Sequence, residues 1–544
     1  MQKPTKILLL SLLVLSITLF SCSSKNNTNK NLQVFRYNEH KNIGSLDPAF
    51  SKDLADIWAT HQLFNGLVQM DDQLNVKPCI AKNWVVTDSA KTYNFTLRKD
   101  VYFHKHHLFG TSTSLGNQDS TRTVNASDFE YSFNRLKDEK LASPGSWVLK
   151  KVESYSAVND STFQIKLKQP FPAFLGLLTM KYCSVVPKEI VEHYGSDFRS
   201  NPIGTGPFKF KRWEENIKLV FRRNNNYFET DEKGKQLPYL EAVAITFLPD
   251  KQSEFLEFAQ GNIDFVSGLD ASYKDEILTA EGKLRELYAD DVNMIRGPYL
   301  NTEYLAFFMQ SEVEEIQALK LRQAINLGFD RTKMITYLRN GIGIPATGGF
   351  IPKGLPGFDD TIGFSYQPEK AKQLLLEFKS ETGIQNPEVT LTTTSNYLSF
   401  CEFIQREIQK IGVNINVDVI PASSLKDAKA NGQLNFFRAS WIADYPDAEN
   451  YLSLYYSKNF APNGPNYTHY SDPNFDTMYE ASYLETDPKI RANLYTKMDS
   501  LVMRTAPIVP MFYDEVVRFT RKEVKGLGIN ATNLLELKQV EKMK

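Results

Sequence analysis

The chain carries almost no net charge. Its 63 Lys and Arg against 64 Asp and Glu leave −1, so no broad field draws it to nucleic acid or another polyanion. Cysteine is scarce, with 4 in 544 residues, and none has the CxxC spacing of a zinc site. No apolar run reaches the roughly 20 residues that span a bilayer; Ile7–Phe20 stops short of that. Catalytic signatures are missing as well, with neither a Gly-x-Ser-x-Gly elbow nor a His-Glu-x-x-His helix. In "NPIGTGPFKF" the glycines meet Pro207, which lacks a backbone donor, and no Lys-Ser/Thr follows. A tight turn into a strand fits that stretch better than a phosphate loop.

What is plentiful is aromatic surface, with 26 Tyr and 36 Phe. That suits either a large cleft for a partly apolar solute or simply ring-rich cores. The length exceeds what one core supports, so two or three domains are expected. At 42% hydrophobic and 23% charged the composition is that of a globular protein.

At the N-terminus Lys3 and Lys6 precede the short apolar run, the layout of a secretory signal. The run ends in Leu19-Phe20-Ser21-Cys22, followed by the polar "SSKNNTNKN". This resembles a bacterial lipoprotein box, which implies a signal peptide over 1–21, lipidation at Cys22, a tether over 22–31 and an exported, membrane-anchored protein. Cys79, Cys183 and Cys401 remain. Either Cys79 and Cys183 form one disulfide, or these thiols are buried small hydrophobes.

Strand and helix periodicities alternate along the rest, giving a mixed α/β class. Tyr93, Phe95 and Leu97 share a strand face, as do Phe163, Ile165 and Leu167, and Val243, Ile245 and Phe247. Val413, Ile415, Val417 and Val419 alternate with polar residues in the same way. Asn125 can cap a helix whose inner face is Phe129, Ser132, Phe133 and Leu136. Cys401, Ile404, Ile408 and Ile411 line another, stopped by Gly412. The stretch 104–123 is polar and long for a loop. Its His104, His106 and His107 are read as loop residues, and no metal or cofactor is expected.

"RASWIADYPDAEN", 438–450, sets Asp444 and Asp447 beside Trp441 and Tyr445. Alone, it fits a catalytic acid pair, a cation site or a surface turn.

Ordered segments narrow the choice. They begin with "NVKPCIAKNWVVTDSAKTYNFTLRKDVYFH" (75–104), "VNASDFEYSFNRL" (124–136), "NPIGTGPFKFKRW" (201–213) and "RRNNNYF" (222–228). "FAQGNIDFV", "LRQAINLGFDRTKMI", "YQPEKAKQLLLE" and "IQKIGVNINV" follow, then "WIADYPDAENYL" and "RANLYTKMDSLVMRTAPIVPMFY". In this order, from about residue 32 to about 520, they resemble the family-5 extracellular solute-binding proteins of ABC importers, the oligopeptide- and dipeptide-binding type. Cys79 stands where leucine is usual, and the 104–123 loop replaces a tight Asp-Gly turn.

The resemblance implies a bilobal periplasmic-binding-protein-like fold of class II type with an additional α/β middle domain. Lobe I is expected over 32–70, 201–300 and 510–544, the additional domain over 71–200, and lobe II over 301–509. Hinges are expected near Pro298–Asn301 and Pro507–Phe512. The implied function is capture of peptides between the lobes and delivery to the permease of an ABC transporter, by a monomer that is not an enzyme. In peptide-binding members the aspartate of Trp-x-x-Asp-Tyr holds the peptide ammonium, which maps to Asp444. Trp441, Tyr445, Asn450 and Tyr451 are the further expected ligand contacts, and Asp447 is expected to cap a turn or helix. The alternatives are a same-family binder of a nickel complex, glutathione or an oligosaccharide, and a secreted hydrolase using Asp444 and Asp447.

Overall fold

Strands from distant parts of the chain share one long sheet. A computed structural model describes residues 33–110 and 120–543; the signal, the tether and Cys22 lie outside these, as does the middle of the 104–123 loop. In chain order the strands are β1 (Val34–Asn38), β2 (Phe208–Glu214), β3 (Lys218–Arg223), β4 (Ala242–Thr246) and β5 (Phe265–Ser267). The long β6 (Val292–Phe307) follows, then β7 (Glu388–Thr393), β8 (Asn414–Val419), β9 (Phe436–Ile442) and the long β10 (Ile508–Arg521). Across the sheet they run β8-β7-β9-β6-β10-β5-β1-β4-β3-β2, with Ile344–Pro345 pairing on β10.

β6 and β10 carry the sheet from lobe I to lobe II. Val292–Pro298 pairs with Glu515–Arg521, and Thr302–Ala306 pairs with Ile508–Tyr513, the ladder being interrupted between Pro298 and Thr302. The expected crossing at Pro298–Asn301 falls in that interruption. On β10 the residues opposite that interruption are Tyr513–Glu515, while Pro510, within the expected Pro507–Phe512 stretch, pairs with Tyr304.

The register shows where the parallel strands of the two halves end. β1 runs parallel to β4 and β5, and Ser267 at the end of β5 faces Arg518 on β10. In lobe II, β7 runs parallel to β8 and β9, and Ile442 at the end of β9 faces Asn301 on β6. Both parallel sets therefore point their carboxyl ends at the crossing, from opposite sides. In open α/β sheets the crevice beyond those ends is where ligands bind.

The additional domain is a four-stranded antiparallel sheet, in the order Ala81–Thr87, Thr92–Leu97, Thr162–Leu167, Val152–Asn159. All six residues assigned to the inner faces of its two central strands are buried. Helix α2 (Ala126–Lys137) packs on it after α1 (Leu54–Leu63) of lobe I; Asn125 and Asp128 close a capping box. Phe129 and Phe133 meet Phe163 at 5.8 and 5.5 Å, each buried ring contributing about 2 kcal/mol. Val186, Ile190, Val191 and Phe198 pack instead with Phe35 and Tyr37 in the lobe I core.

Other expectations meet the packing directly. Cys79, Cys183 and Cys401 are free and buried, so the disulfide alternative fails. Burial pushes the Cys79 and Cys183 thiols up to about 12. A Cβ on Gly206 would stand 2.4 Å from the Leu63 carbonyl carbon, so this turn is glycine because it presses on the end of α1. Val419 is 43% exposed, because β8 is the sheet's edge and its covering helix, Leu398–Gln409, packs on the inward-facing residues near the strand's start.

Candidate functional site

A cavity of about 1280 Å³ opens beyond the carboxyl ends of β1, β4 and β5. It is larger than the roughly 300–1,000 Å³ of a typical small-molecule pocket. Asn38 and Glu39 follow β1 into its wall; Asp56 and Trp58 come from α1, and Lys251 and Glu254 from α3 (Lys251–Ala259). Leu141 and Pro144 enter from the additional domain, and Tyr299 from the crossing segment of β6. Trp58 is fixed by donating Nε1–H to the Asn533 carbonyl at 2.8 Å. The Asp47–Arg135 ion pair, with both side chains largely buried, ties the cavity loop to α2.

The segment 438–450 begins as strand β9 and leaves it beyond Ile442, so Asp444 sits just past a carboxyl end of lobe II. Asn450 organises the turn. Its Oδ1 accepts from Trp441 Nε1 at 2.8 Å and from the Asp444 backbone N–H at 3.2 Å, while its amide reaches Asp444 Oδ2 at 3.5 Å. Asp444 is exposed and has no ion-pair partner among the described residues. Enough protein still surrounds its carboxyl for desolvation to raise the pKa, with the Asn450 amide pulling the other way. Facing it is Tyr182 of the additional domain, whose pKa is raised to about 12 by burial and then by the charges of Asp444, Asp53 and Asp56. Asp53 and Asp56 belong to the cavity wall.

The other expected contacts lie deeper. Asn450 is 5% exposed, Tyr445 7% and Tyr451 0%. Tyr445 meets Phe171 of the additional domain edge-on at 6.1 Å, and its hydroxyl donates to Glu449. Tyr479 and Tyr483 donate to the same buried carboxylate. Tyr451 packs against Phe350 at 5.6 Å inside the lobe II core, because the helix Glu449–Leu452 turns it inward. Trp441 is half-buried. None of the five lines the large cavity; Asp444 stands open, and Asn450, Tyr445 and Tyr451 form the layer beneath it.

Asp447 and Asp444 are engaged separately, Asp447 by the Glu449 backbone and Asp444 by the Asn450 amide. Asp447 is 8% exposed and accepts the Glu449 backbone N–H at 2.9 Å, the capping role expected of it. A shared catalytic pair therefore does not form, and the hydrolase alternative is withdrawn. His104 is locked in the interior, with Nε2 3.0 Å from the Gly206 carbonyl and Nδ1 accepting from Gly204 N–H at 3.3 Å. Burial lowers its pKa to about 4. Among the described residues no cluster of three potential metal ligands occurs.

Sequence reasoning left the cavity residues unassigned. Glu39 and Asp56 carried a usable signal, since both sit at the ends of elements that face the crossing. Arg438, at the start of the 438–450 segment, pairs with buried Glu303 and lies 3.2 Å from the Tyr397 ring centre.

The family model for bacterial extracellular solute-binding proteins, family 5 Middle, matches residues 75–463. The glutathione-binding protein GsiB of Salmonella typhimurium is 24% identical over 494 residues, 90% of each chain. The dipeptide-binding protein of Escherichia coli K12 is 26% identical over 491 residues, 86% of each chain. Among solved structures, HbpA2 from Haemophilus parasuis has the same fold, with a TM-score of 0.80 at 22% identity over 94% of this chain and 100% of that one. The chain belongs to the bacterial extracellular solute-binding proteins of family 5, exported proteins that bind a solute rather than transform it.

Proposed function

We propose that this protein captures short peptides between its lobes and delivers them to the permease of an ABC importer, while a lipid on Cys22 holds it at the membrane. The observation that carries the reading is the placement of Asp444. An unpaired carboxylate stands past the end of β9, across the crossing strands from the cavity of about 1280 Å³. A peptide ammonium there makes a charge-assisted bond, roughly twice as strong as a neutral one. Backbone groups at the strand ends can pair with the peptide main chain without reading its side chains. Ligand binding then selects a closed arrangement about the crossing. The relatives named for dipeptides and for glutathione support solutes built on peptide bonds with charged ends. A glutathione-type solute is the second reading those relatives favour.

For the division of the chain we propose lobe I over 32–70, about 186–300 and 510–544, the additional domain over 71 to about 185, and lobe II over 301–509. The packing of Val186 to Phe198 on Phe35 and Tyr37 supports assigning that stretch to lobe I rather than ending the additional domain at 200.

Mass spectrometry of solute released by denaturing the purified protein tests the binding reading. Intact peptides in about one-to-one ratio are expected; a single non-peptide solute at that ratio overturns it. For the anchor, Cys22→Ser is expected to move the protein from the membrane fraction to the soluble one. Unchanged membrane retention removes Cys22 from that role.

A further inference from the structure

The end of β1 holds an acid that forms no ion pair among the described residues. Glu39 is 6% exposed, forms part of the large cavity's wall, and its Oε1 has no hydrogen-bond partner. Its backbone N–H donates to the Thr246 carbonyl at 2.9 Å, extending the β1–β4 pairing and fixing where the side chain starts. The cation nearest by charge, Lys251, is engaged by Glu254 at 2.7 Å. Asp56, across on α1, accepts the Gly44 N–H at 3.0 Å. A buried acid left unsatisfied in this way is costly. Leu54, Trp58 and Leu269 add apolar wall to the same cavity, a surface that suits the methylene stem of a long cationic side chain.

We propose that Glu39 receives a cationic side chain of the bound solute, so that the lobe I cavity favours peptides carrying lysine or arginine. This rests on the peptide reading above and adds a second charged station to it.

The protonation of the site supports the same assignment. Burial, then the charge of Glu254, raises Glu39 to about 8, with Asp56 adding to the rise and Lys251 opposing it. Asp56 is itself raised to about 6 and Glu254 is raised, both chiefly by burial, with Asp270 adding to the latter. His40 is lowered by burial and Lys251, and Tyr37 beneath is raised by burial and Glu39. A pKa raised to about 8 favours the protonated form of Glu39 around neutral pH, and pairing with a cation expels that proton. Affinity for a cationic peptide should rise with pH until Glu39 is ionised without help.

Calorimetry with trialanine and with tripeptides carrying lysine, or its uncharged counterpart norleucine, at each position tests this. For wild type, lysine at one position should bind about tenfold tighter than norleucine. In Glu39→Gln that ratio should fall to about 1. Titrations at pH 7 in two buffers of different ionisation enthalpy should show release of on the order of one proton with the lysine peptide and none with norleucine. A lysine-to-norleucine ratio near 1 at every position in wild type, or a ratio unchanged in Glu39→Gln, overturns the proposal. If trialanine and all the tripeptides fail to bind, the peptide reading is what has failed. In that event 1,5-diaminopentane is the probe: proton-releasing binding to wild type and not to Glu39→Gln upholds the station, and no such difference overturns it.

Discussion

Asp444→Asn is expected to weaken a free-amine tripeptide by about 10- to 100-fold while leaving its N-acetylated form, already a poor ligand of the wild type, nearly unchanged. The substitution keeps shape and removes charge. Asn450 donates to Asp444 Oδ2 and accepts from the Asp444 backbone, and an asparagine oxygen can still take the first of these bonds, so the turn survives. What is lost is a hydrogen bond to a charged group, about 1.5–3 kcal/mol, toward the lower end because Asp444 is exposed. Thermal stability should change little. The pH profile follows from the raised Asp444 pKa: the acid must be ionised to pair with an ammonium. Affinity therefore falls as pH drops through a value above the ordinary aspartate near 4, and Asp444→Asn flattens that limb. Isothermal calorimetry on the four combinations of protein and peptide decides it. Equal affinity of wild type for the free and acetylated peptides removes Asp444 from the role.

Periodicity was a reliable guide wherever one face of an element is buried. Tyr93, Phe95 and Leu97 alternate because the sheet beneath them has a core on one side only, and all are buried. The same logic weakens at the edge strand, where Val419 keeps the pattern but not the burial. Asp444 was singled out by its place in the Trp-x-x-Asp-Tyr segment, a local pattern of the sequence. The cavity was not, since Glu39, Glu254, Tyr299 and Asn533 are far apart along the chain and meet only where the parallel strands end. Tyr445 and Tyr451 show a further limit. Residue type cannot say which way a ring turns just after a strand end; here Tyr451, within the short helix Glu449–Leu452, faces the lobe II core, and Tyr445, ahead of that helix, packs on Phe171.

The layer under Asp444 gives the largest expected loss of stability. Glu449 is 5% exposed and accepts the hydroxyls of Tyr445, Tyr479 and Tyr483. Lys151 of the additional domain lies over the Tyr483 and Phe171 rings at 3.7 and 4.1 Å, and burial lowers its pKa to about 8, with the Glu449 charge opposing that fall. This cluster joins lobe II to the additional domain directly behind the proposed ammonium station. Glu449→Leu removes the shared acceptor of three hydroxyls, two buried (Tyr445, Tyr479) and one half-buried (Tyr483), leaving Tyr479 and Tyr483 the 3.0 Å bond between them. Each unsatisfied group costs about 1–3 kcal/mol, so a loss of about 3–5 kcal/mol is expected, less than the plain sum because neighbouring sites are not additive. Replacing the three tyrosines by phenylalanine in the Glu449→Leu background should recover a large part of that loss, since removing both partners of a hydrogen bond is nearly neutral. Denaturant midpoints for the wild type, the single variant and the fourfold variant supply the comparison. A Glu449→Leu protein within about 1 kcal/mol of wild type would mean that the three hydroxyls find other partners. Peptide affinity should fall in Glu449→Leu even where the protein remains folded, because Tyr445 and Asn450 set the position of Asp444 from below.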